Sequence, residues 1–203
     1  MNARNVAGAG TDSDAGVCPW ALQSPIERDY HDSEWGRPRH DDRALFESLC
    51  LEGAQAGLSW RTILAKREHY REVFDGFDAE RMARYDAHKI EALLADSGIV
   101  RNRLKVQAFV TNAQAYLAIR ERGETLDAWL WQWVEGRPLV GAWRTREQVP
   151  PRTELSDQVS KALKKAGFKF VGSTIVYAFL QTNGLVNDHL VDCPSYSVCL
   201  GLS

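Results

Sequence analysis

The chain has 203 residues, a length that suits one domain or two closely packed lobes. Its formal charge of −2 excludes a uniformly basic nucleic-acid-binding protein, although a local basic face is compatible with it. No apolar run approaches the roughly 20 residues that are needed to span a bilayer, so we expect no membrane partner.

Residues 1–17 precede the first motif, and they are rich in Ala, Gly, Asn, Asp and Ser. They contain no apolar segment that would make a signal peptide. We therefore predict a disordered tail, a cytoplasmic protein and a single domain over residues 18–203. In a reducing compartment the four cysteines are expected to be thiols or metal ligands rather than disulfides.

Helix signals begin directly after this tail. Ser24 and Pro25 are suited to the N-cap and first position of a helix, which should end at Gly36. A second helix is predicted from Asp41 to the break at Gly57.

More helices are predicted along the rest of the chain. Their starts are marked by polar capping residues: Ser59, Asp78, Asp86, Ser156 and Ser173. A long helix with a 3.6-residue apolar period lies between Gly98 and Gly123, and residues 129–134 form another. Residues 136–151 are the longest loop candidate. Because no alternating run is long enough for a sheet, the sequence predicts an all-α protein.

The second predicted helix carries a carboxylate on its inward face. The residues of this face follow the spacing i, i+4, i+7 and i+11: Leu45, Leu49, Glu52 and Ala56. A glutamate there costs free energy unless it is paired, hydrogen-bonded or lining a wet cleft. Because Trp60 follows the helix break, Glu52 and Trp60 indicate a pocket for a flat, polar ring. The alternative is a glutamate on the polar edge of the helix.

Cysteine and histidine residues near the two ends of the chain form a candidate metal set. His189 and Cys193 are four residues apart, which places both on one side of a helical turn. With Cys18 and His31 they would make a tetrahedral Cys2His2 site that suits Zn²⁺. The alternative is a buried thiol and two unrelated histidines, and Cys199 could replace either cysteine.

The tight glycine turn at Gly98 is a candidate phosphate-binding hairpin. Backbone N–H groups at the start of the following helix, from Gly98 and Ile99 onwards, could bind a phosphate, and Arg101 and Lys105 follow closely. A second basic cluster lies near the C-terminus: Lys161, Lys164, Lys165 and Lys169. The alternative is that Gly98 only ends a helix and the lysines form a solvated face.

Four segments together resemble the DNA-3-methyladenine glycosylase I family. They are residues 30–36 (YHDSEWG), 51–60 (LEGAQAGLSW), 167–172 (GFKFVG) and 184–189 (GLVNDH). The resemblance extends over residues 18–193. It implies an all-α, two-lobed helix-hairpin-helix glycosylase fold that binds the damaged base between its lobes. It also implies that Glu52 is the pocket carboxylate, Gly98 the hairpin, and Cys18, His31, His189 and Cys193 a structural zinc site joining the two ends.

The activity implied by this resemblance is base-excision repair. We expect a monomer without a nucleotide cofactor that extrudes 3-methyladenine from double-stranded alkylated DNA. It would release the base by hydrolysis and leave an abasic site. Glu52 would recognise the base or stabilise the oxocarbenium-like sugar, with recognition favoured. The aromatic walls would be Tyr30, Trp35 and Trp60, and Gly57 with Leu58 would fill the gap in the base stack.

Two positions depart from the family pattern. Glu27 replaces a frequent aromatic residue three positions before Tyr30, so that pocket wall is either missing or supplied by another residue such as Trp20. Val100 stands where many hairpins have a second glycine. Two other classes of protein also compete with a glycosylase: a non-catalytic zinc-containing helix-hairpin-helix DNA-binding module, and a zinc hydrolase or deaminase, which would need an open metal position.

Overall fold

The structure, a computed structural model, describes residues 14–202. These residues form eleven α-helices with short 3₁₀ turns between some of them. The helices are α1 Pro25–Ser33, α2 Asp42–Gln55, α3 Trp60–Leu64, α4 Arg67–Val73, α5 Ala79–Met82, α6 Ala87–Ala95, α7 Arg103–Glu121, α8 Leu126–Trp131, α9 Glu154–Lys165, α10 Ser173–Thr182 and α11 Pro194–Leu200. This mostly helical architecture confirms the predicted all-α class.

Several helices begin where polar side chains cap their first turn. Asp41 Oδ1 accepts the Ala44 N–H at 2.8 Å, and Asp86 Oδ1 accepts the Lys89 N–H at 2.8 Å. Ser59 Oγ accepts the Thr62 N–H at the start of α3. Because the first four N–H groups of a helix lack partners within it, such caps fix where each helix starts.

Two local predictions were wrong, and one helix was missed. Helix α9 starts before Ser156, because Thr153 and Ser156 form a reciprocal capping box. The segment from His189 to Cys193 is a non-helical turn closed by the Cys193 N–H and the Leu190 carbonyl at 2.8 Å. Helix α11 was not predicted.

Two short strands interrupt the helical architecture. The strand β1, Leu139–Val140, pairs in parallel with β2, Val186–Asn187. The prediction of no sheet was therefore wrong for this one pair, since two residues are too few to show an alternating pattern. The pair joins the predicted loop at residues 136–151 to the segment that follows α10.

Helix α2 lies at the centre of the molecule, in contact with α3, α7, α8 and α10. The N-terminal segment after α1 packs on the end of α10: the Gly36 N–H donates to the Gln181 carbonyl, and the Arg39 N–H donates to the Asn183 carbonyl, both at 3.1 Å. These contacts bring residues from both ends of the chain to the same side of α2.

The described chain begins inside the predicted tail. Residues 1–13 lie outside the described residues, but Val17 is buried and Asp14 Oδ1 accepts a hydrogen bond from Arg28 at 2.6 Å. Packed structure therefore begins before Cys18. Within residues 14–202, no helix is both long enough and apolar enough to cross a membrane.

Candidate functional site

A cleft of about 190 Å³ opens beside the C-terminal half of α2. Its lining is aromatic with a few polar groups: Trp20, Tyr30, Trp35, Glu52, Gln55, Trp60, Ala178, Gln181 and Thr182. The four aromatic candidates and Glu52 therefore meet in one cavity, although they come from four separate segments of the chain. A concave, mostly apolar cavity with a few converging polar groups is typical of a small-molecule or base-binding site.

Glu52 is held at the wall of this cleft by a chain of hydroxyl groups. The Tyr30 hydroxyl donates to Thr182 Oγ1 at 3.0 Å, and the Thr182 hydroxyl donates to Glu52 Oε1 at 2.8 Å. Both hydroxyl protons are therefore directed along the chain towards the carboxyl group. The second carboxyl oxygen of Glu52 accepts no hydrogen bond from the described residues.

Burial changes the ionisation of Glu52. The residue is only 3% exposed, and desolvation raises the pKa of its carboxyl group to about 8, although the Thr182 hydrogen bond acts in the opposite direction. Desolvation and the neighbouring Glu52 also raise the pKa of Tyr30, so its hydroxyl remains a donor. A carboxyl group with such a pKa is poised to respond to a positive charge that enters the cleft.

Four aromatic side chains surround the cleft at angles to one another. The Tyr30 and Trp60 ring centroids are 5.5 Å apart, and the Trp20 and Trp35 centroids are 5.2 Å apart in an edge-on arrangement. Trp20 also lies 6.3 Å from Tyr30. The Trp60 indole N–H is buried and has no partner among the described residues. These rings offer both faces and edges to a planar ligand.

The sequence did not single out Thr182 and Gln181 as residues of the cleft. Gln181 Nε2 donates to Asp188 Oδ2 at 2.8 Å, and the same carboxylate accepts from Tyr177 and Trp143. Both residues are at the end of α10, just before the 184–189 motif. A threonine in an apolar helix has no distinctive sequence signal, so only the packing of α10 on α2 shows its role.

The turn after α2 projects towards solvent beside the cleft. Gly57 adopts a left-handed φ of +77°, which a glycine accommodates without strain. Leu58 is 39% exposed although it is a large apolar residue. The structure thus places Gly57 and Leu58 at an accessible tip beside the cleft.

The Gly98 turn joins α6 to α7, so the predicted pair of helices connected by a glycine turn is present. The Gly98 N–H donates to Asp96 Oδ1 at 2.7 Å, so it is already partnered. Ile99 is buried, which leaves only its backbone for contact with a ligand, whereas Arg101 is exposed. A side chain at Gly98 would collide with the His69 ring, about 2.1 Å from the position of a Cβ atom.

Lys105 lies where the prediction did not place it. Its ammonium group donates to the carbonyl oxygens of Ala54 at 2.8 Å and Ala56 at 2.6 Å, and the residue is only 9% exposed. It is therefore directed into the protein at the end of α2 instead of outward to a phosphate. The lysines of the second basic cluster, by contrast, are all exposed.

The four predicted metal ligands come together in a buried cluster. The ligand atoms of Cys18, His31, His189 and Cys193 all lie within 4.8 Å of one another. His31 Nε2 is 3.1 Å from His189 Nδ1 and 3.5 Å from Cys193 Sγ. Cys18 Sγ and Cys193 Sγ are each 3.8 Å from His189 Nδ1. Cys199 is buried outside this cluster.

These separations fit a tetrahedral metal ion. Bonds of about 2.0–2.1 Å to nitrogen and 2.3 Å to sulfur imply edges of roughly 3.3 Å between nitrogens and 3.6 Å between nitrogen and sulfur. Each histidine also has an outer partner: His31 Nδ1 is 2.7 Å from Asp32 Oδ1, and His189 Nε2 is 3.1 Å from the Trp35 carbonyl. Such partners orient the imidazoles of metal sites. The cluster is therefore able to bind a metal.

Comparison of the sequence and the fold with known proteins identifies the family of the chain. The family model for methyladenine glycosylase matches residues 20–196. The chain is 50% identical over 177 residues to the DNA-3-methyladenine glycosylase of Haemophilus influenzae, an alignment that covers 87% of this chain and 96% of that protein. It is also similar to a crystal structure of 3-methyladenine DNA glycosylase I, with a TM-score of 0.87, 48% identity and coverage of 89% and 99% of the two chains.

A further solved structure, of a 3-methyladenine DNA glycosylase I variant in complex with 3-methyladenine, has a TM-score of 0.86 and 39% identity. It covers 89% of this chain and 97% of that chain. Similarity of this extent to both sequences and structures leads to one conclusion: the chain belongs to the methyladenine glycosylase family.

Proposed function

We propose that this protein is a DNA repair glycosylase that releases 3-methyladenine from alkylated double-stranded DNA and leaves an abasic site. The observation that carries the proposal is the buried carboxyl group of Glu52 at the wall of an aromatic cleft, in a chain that belongs to this family. A DNA-binding module without activity would have no need for such a group, which is costly to bury.

The chemistry of the damaged nucleotide explains why one carboxyl group is sufficient. Methylation at N3 gives the adenine ring a formal positive charge, so the glycosidic bond is weakened and the base departs as a neutral molecule. The protein therefore needs selection more than acceleration. A cationic base stabilises the ionised form of Glu52, whereas normal adenine carries no charge to offset the desolvation of a carboxylate.

The hydroxyl chain from Tyr30 through Thr182 fixes one oxygen of Glu52 and leaves the other for the base. The base edge would donate to that second oxygen, while Tyr30, Trp35 and Trp60 stack around the ring. Stacking of a base on an aromatic side chain contributes about 1–3 kcal/mol. Recognition of the base is thus the primary role of Glu52, with a smaller electrostatic effect on the sugar.

Extrusion of the base would use the exposed turn at Gly57 and Leu58. Leu58 is apolar, exposed and next to the cleft, so it is suited to fill the gap that an extruded base leaves. Arg101 and the backbone of Ile99 would hold the phosphates, since the Gly98 N–H already donates to Asp96. None of the described residues that line the cleft is a lysine, so a Schiff base with the sugar is not expected and the enzyme would be monofunctional.

The buried cluster would hold one structural zinc ion. With four protein ligands, Cys18, His31, His189 and Cys193, a tetrahedral ion has no open position for water, which disfavours a zinc hydrolase or deaminase. A bound zinc ion would cross-link the two ends of the chain. These ligands are next to Trp20 and Trp35, so the same cross-link would also support the cleft wall.

The proposal is tested by incubating the protein with methylated duplex DNA and measuring free bases by chromatography. We expect release of 3-methyladenine, no release from unmethylated DNA, and strand breaks only after alkaline treatment. Binding to methylated DNA without release of any base would instead support the non-catalytic DNA-binding module.

A further inference from the structure

Lys105 occupies a position where its charge is unfavourable for its own helix. It is the third residue of α7, and Asn102 Oδ1 accepts its backbone N–H at 3.1 Å. The positive end of the helix dipole disfavours a cation in this first turn. Burial also lowers the pKa of the Lys105 ammonium group. A cation buried at this point needs a partner outside α7.

That partner is the C-terminal end of α2. The last carbonyl groups of a helix receive no hydrogen bond from an N–H group of the same helix. They also carry the negative end of the helix dipole. Lys105 Nζ donates to two of these groups, the carbonyls of Ala54 at 2.8 Å and Ala56 at 2.6 Å. One side chain therefore joins the start of the second hairpin helix to the end of the helix that carries Glu52.

The joined segment leads directly into the exposed turn. Gln55 lies between the two carbonyls that Lys105 binds, and it lines the base cleft. Its side-chain Nε2 donates to the Leu58 carbonyl at 2.8 Å, and its backbone carbonyl accepts the Leu58 N–H at 2.7 Å. The backbone of Leu58 is thus attached to Gln55, on a segment that Lys105 holds from the other side.

We propose that Lys105 is a positioning residue for base extrusion, because it connects the Leu58 turn to the Gly98 hairpin. Docking of the hairpin on DNA would then set the depth at which Leu58 enters the base stack. This inference rests on the proposed function, in which Leu58 fills the gap left by the base. It replaces the phosphate contact predicted for Lys105, because the ammonium group is turned towards the two carbonyls.

The test compares Lys105→Met, which keeps the alkyl stem without the ammonium group, with Leu58→Ala and with the double variant. Arg101→Met is the matched control, since it removes an exposed cation from the same turn. Three quantities are measured for each protein: single-turnover release of 3-methyladenine from methylated duplex, affinity for free 3-methyladenine, and the salt dependence of duplex binding.

For Lys105→Met we expect about a tenfold slower release from duplex, with free-base affinity within twofold of wild type and an unchanged salt slope. The double variant should release the base no more than about twofold slower than Leu58→Ala, because both changes remove the same function. Arg101→Met should instead reduce by about one the slope of the logarithm of the duplex-binding constant against the logarithm of the salt concentration. If Lys105→Met does not fold, Lys105→Gln can still donate to one carbonyl and should show a smaller loss of the same kind.

Each other outcome overturns the inference. Wild-type release by a folded Lys105 variant, a salt slope reduced by about one, an equal loss of free-base affinity, or fully multiplicative effects in the double variant would each contradict a positioning role. Failure of the proposed function has a different signature: wild-type release by Leu58→Ala would show that Leu58 does not fill the stack. No release by the wild-type protein would contradict the glycosylase activity itself.

Discussion

Replacing Glu52 with glutamine should stabilise the protein at high pH while impairing its activity. The folded carboxyl group has a pKa raised from 4.5 to about 8 by burial, whereas in the unfolded chain it ionises near the lower value. Between these two pH values the folded state binds more protons, so the stability of the wild-type protein falls as pH rises. Glutamine does not ionise and is free of this loss.

The size of the effect follows from the two pKa values. At about 1.4 kcal/mol for each pKa unit, the increase from 4.5 to about 8 corresponds to roughly 5 kcal/mol of unfolding free energy at most. Glu52→Gln should therefore be similar to wild type or slightly less stable near pH 4.5, because one of its buried amide protons lacks a partner. The unfolding free energy of Glu52→Gln relative to that of the wild type should increase up to about pH 8 and then remain constant.

The measurement is urea unfolding of both proteins at several pH values, with Glu121→Gln as a control in which an exposed carboxylate is removed. The difference between Glu52→Gln and wild type should depend on pH, while the control should not. A constant difference across this range would refute the argument that burial controls the ionisation of Glu52.

The same variant tests the role of Glu52 in function. A base edge that donates to the carboxylate would lose part of a charge-assisted hydrogen bond, roughly 1.5–3 kcal/mol. Release of 3-methyladenine should fall about ten- to a hundredfold, and the free base should bind less tightly. Wild-type activity in folded Glu52→Gln would contradict the assignment. Lost activity with unchanged base affinity would move Glu52 from recognition to bond cleavage.

Further predictions concern charge, metal and DNA. The affinity for a permanently cationic ligand such as 3,9-dimethyladenine should increase about tenfold for each pH unit up to about 8, because such a ligand requires the ionised form of Glu52. An affinity that does not change with pH would contradict this. Metal analysis should find about one zinc per chain, and Cys193→Ala should lower the melting temperature strongly while it lowers the affinity for the free base to a smaller degree; zinc-free purified protein would contradict the zinc assignment. Binding to undamaged duplex should be weak and strongly salt-dependent, and insensitivity to salt would contradict a role for Arg101 and the hairpin.

Helices were predictable because their signals are local. Ser59, Asp78 and Asp86 cap the helices that they were predicted to cap, since a capping side chain bonds to N–H groups only two or three residues away. The start of α9 was misplaced because Thr153 and Ser156 form one reciprocal box, in which either residue has the right side chain for a cap. The pair of β1 and β2 depends on residues more than forty positions apart, and it leaves no periodic signal.

The candidate site was predictable only where a residue type is costly or unusual. A carboxylate on an inward helix face and a set of cysteines and histidines both demand a chemical reason, so Glu52 and the metal set stood out. Thr182 and Gln181 are ordinary residues at the end of an apolar helix, and only tertiary packing places them beside Glu52. A phosphate contact was predicted for Lys105, whose ammonium group instead binds a carbonyl of the protein, because sequence position does not give the partner of a long side chain.

The replacement of an aromatic residue by Glu27 also has a structural explanation. Glu27 lies in the first turn of α1, where a negative charge is favourable, and its carboxylate accepts the Ser24 hydroxyl at 2.7 Å. Trp20 lines the cleft in contact with both Tyr30 and Trp35, so it would supply the wall that the resemblance leaves missing.

Trp20 follows Cys18 by two residues, and Trp35 stacks on His31, with ring centroids 6.1 Å apart. His189 meets the Trp35 ring edge-on at 4.6 Å. Two walls of the cleft are therefore attached directly to the cluster of two cysteines and two histidines. A structural metal at this point would act on base recognition through the position of these rings, so its removal should reduce both the stability of the fold and the affinity for the base.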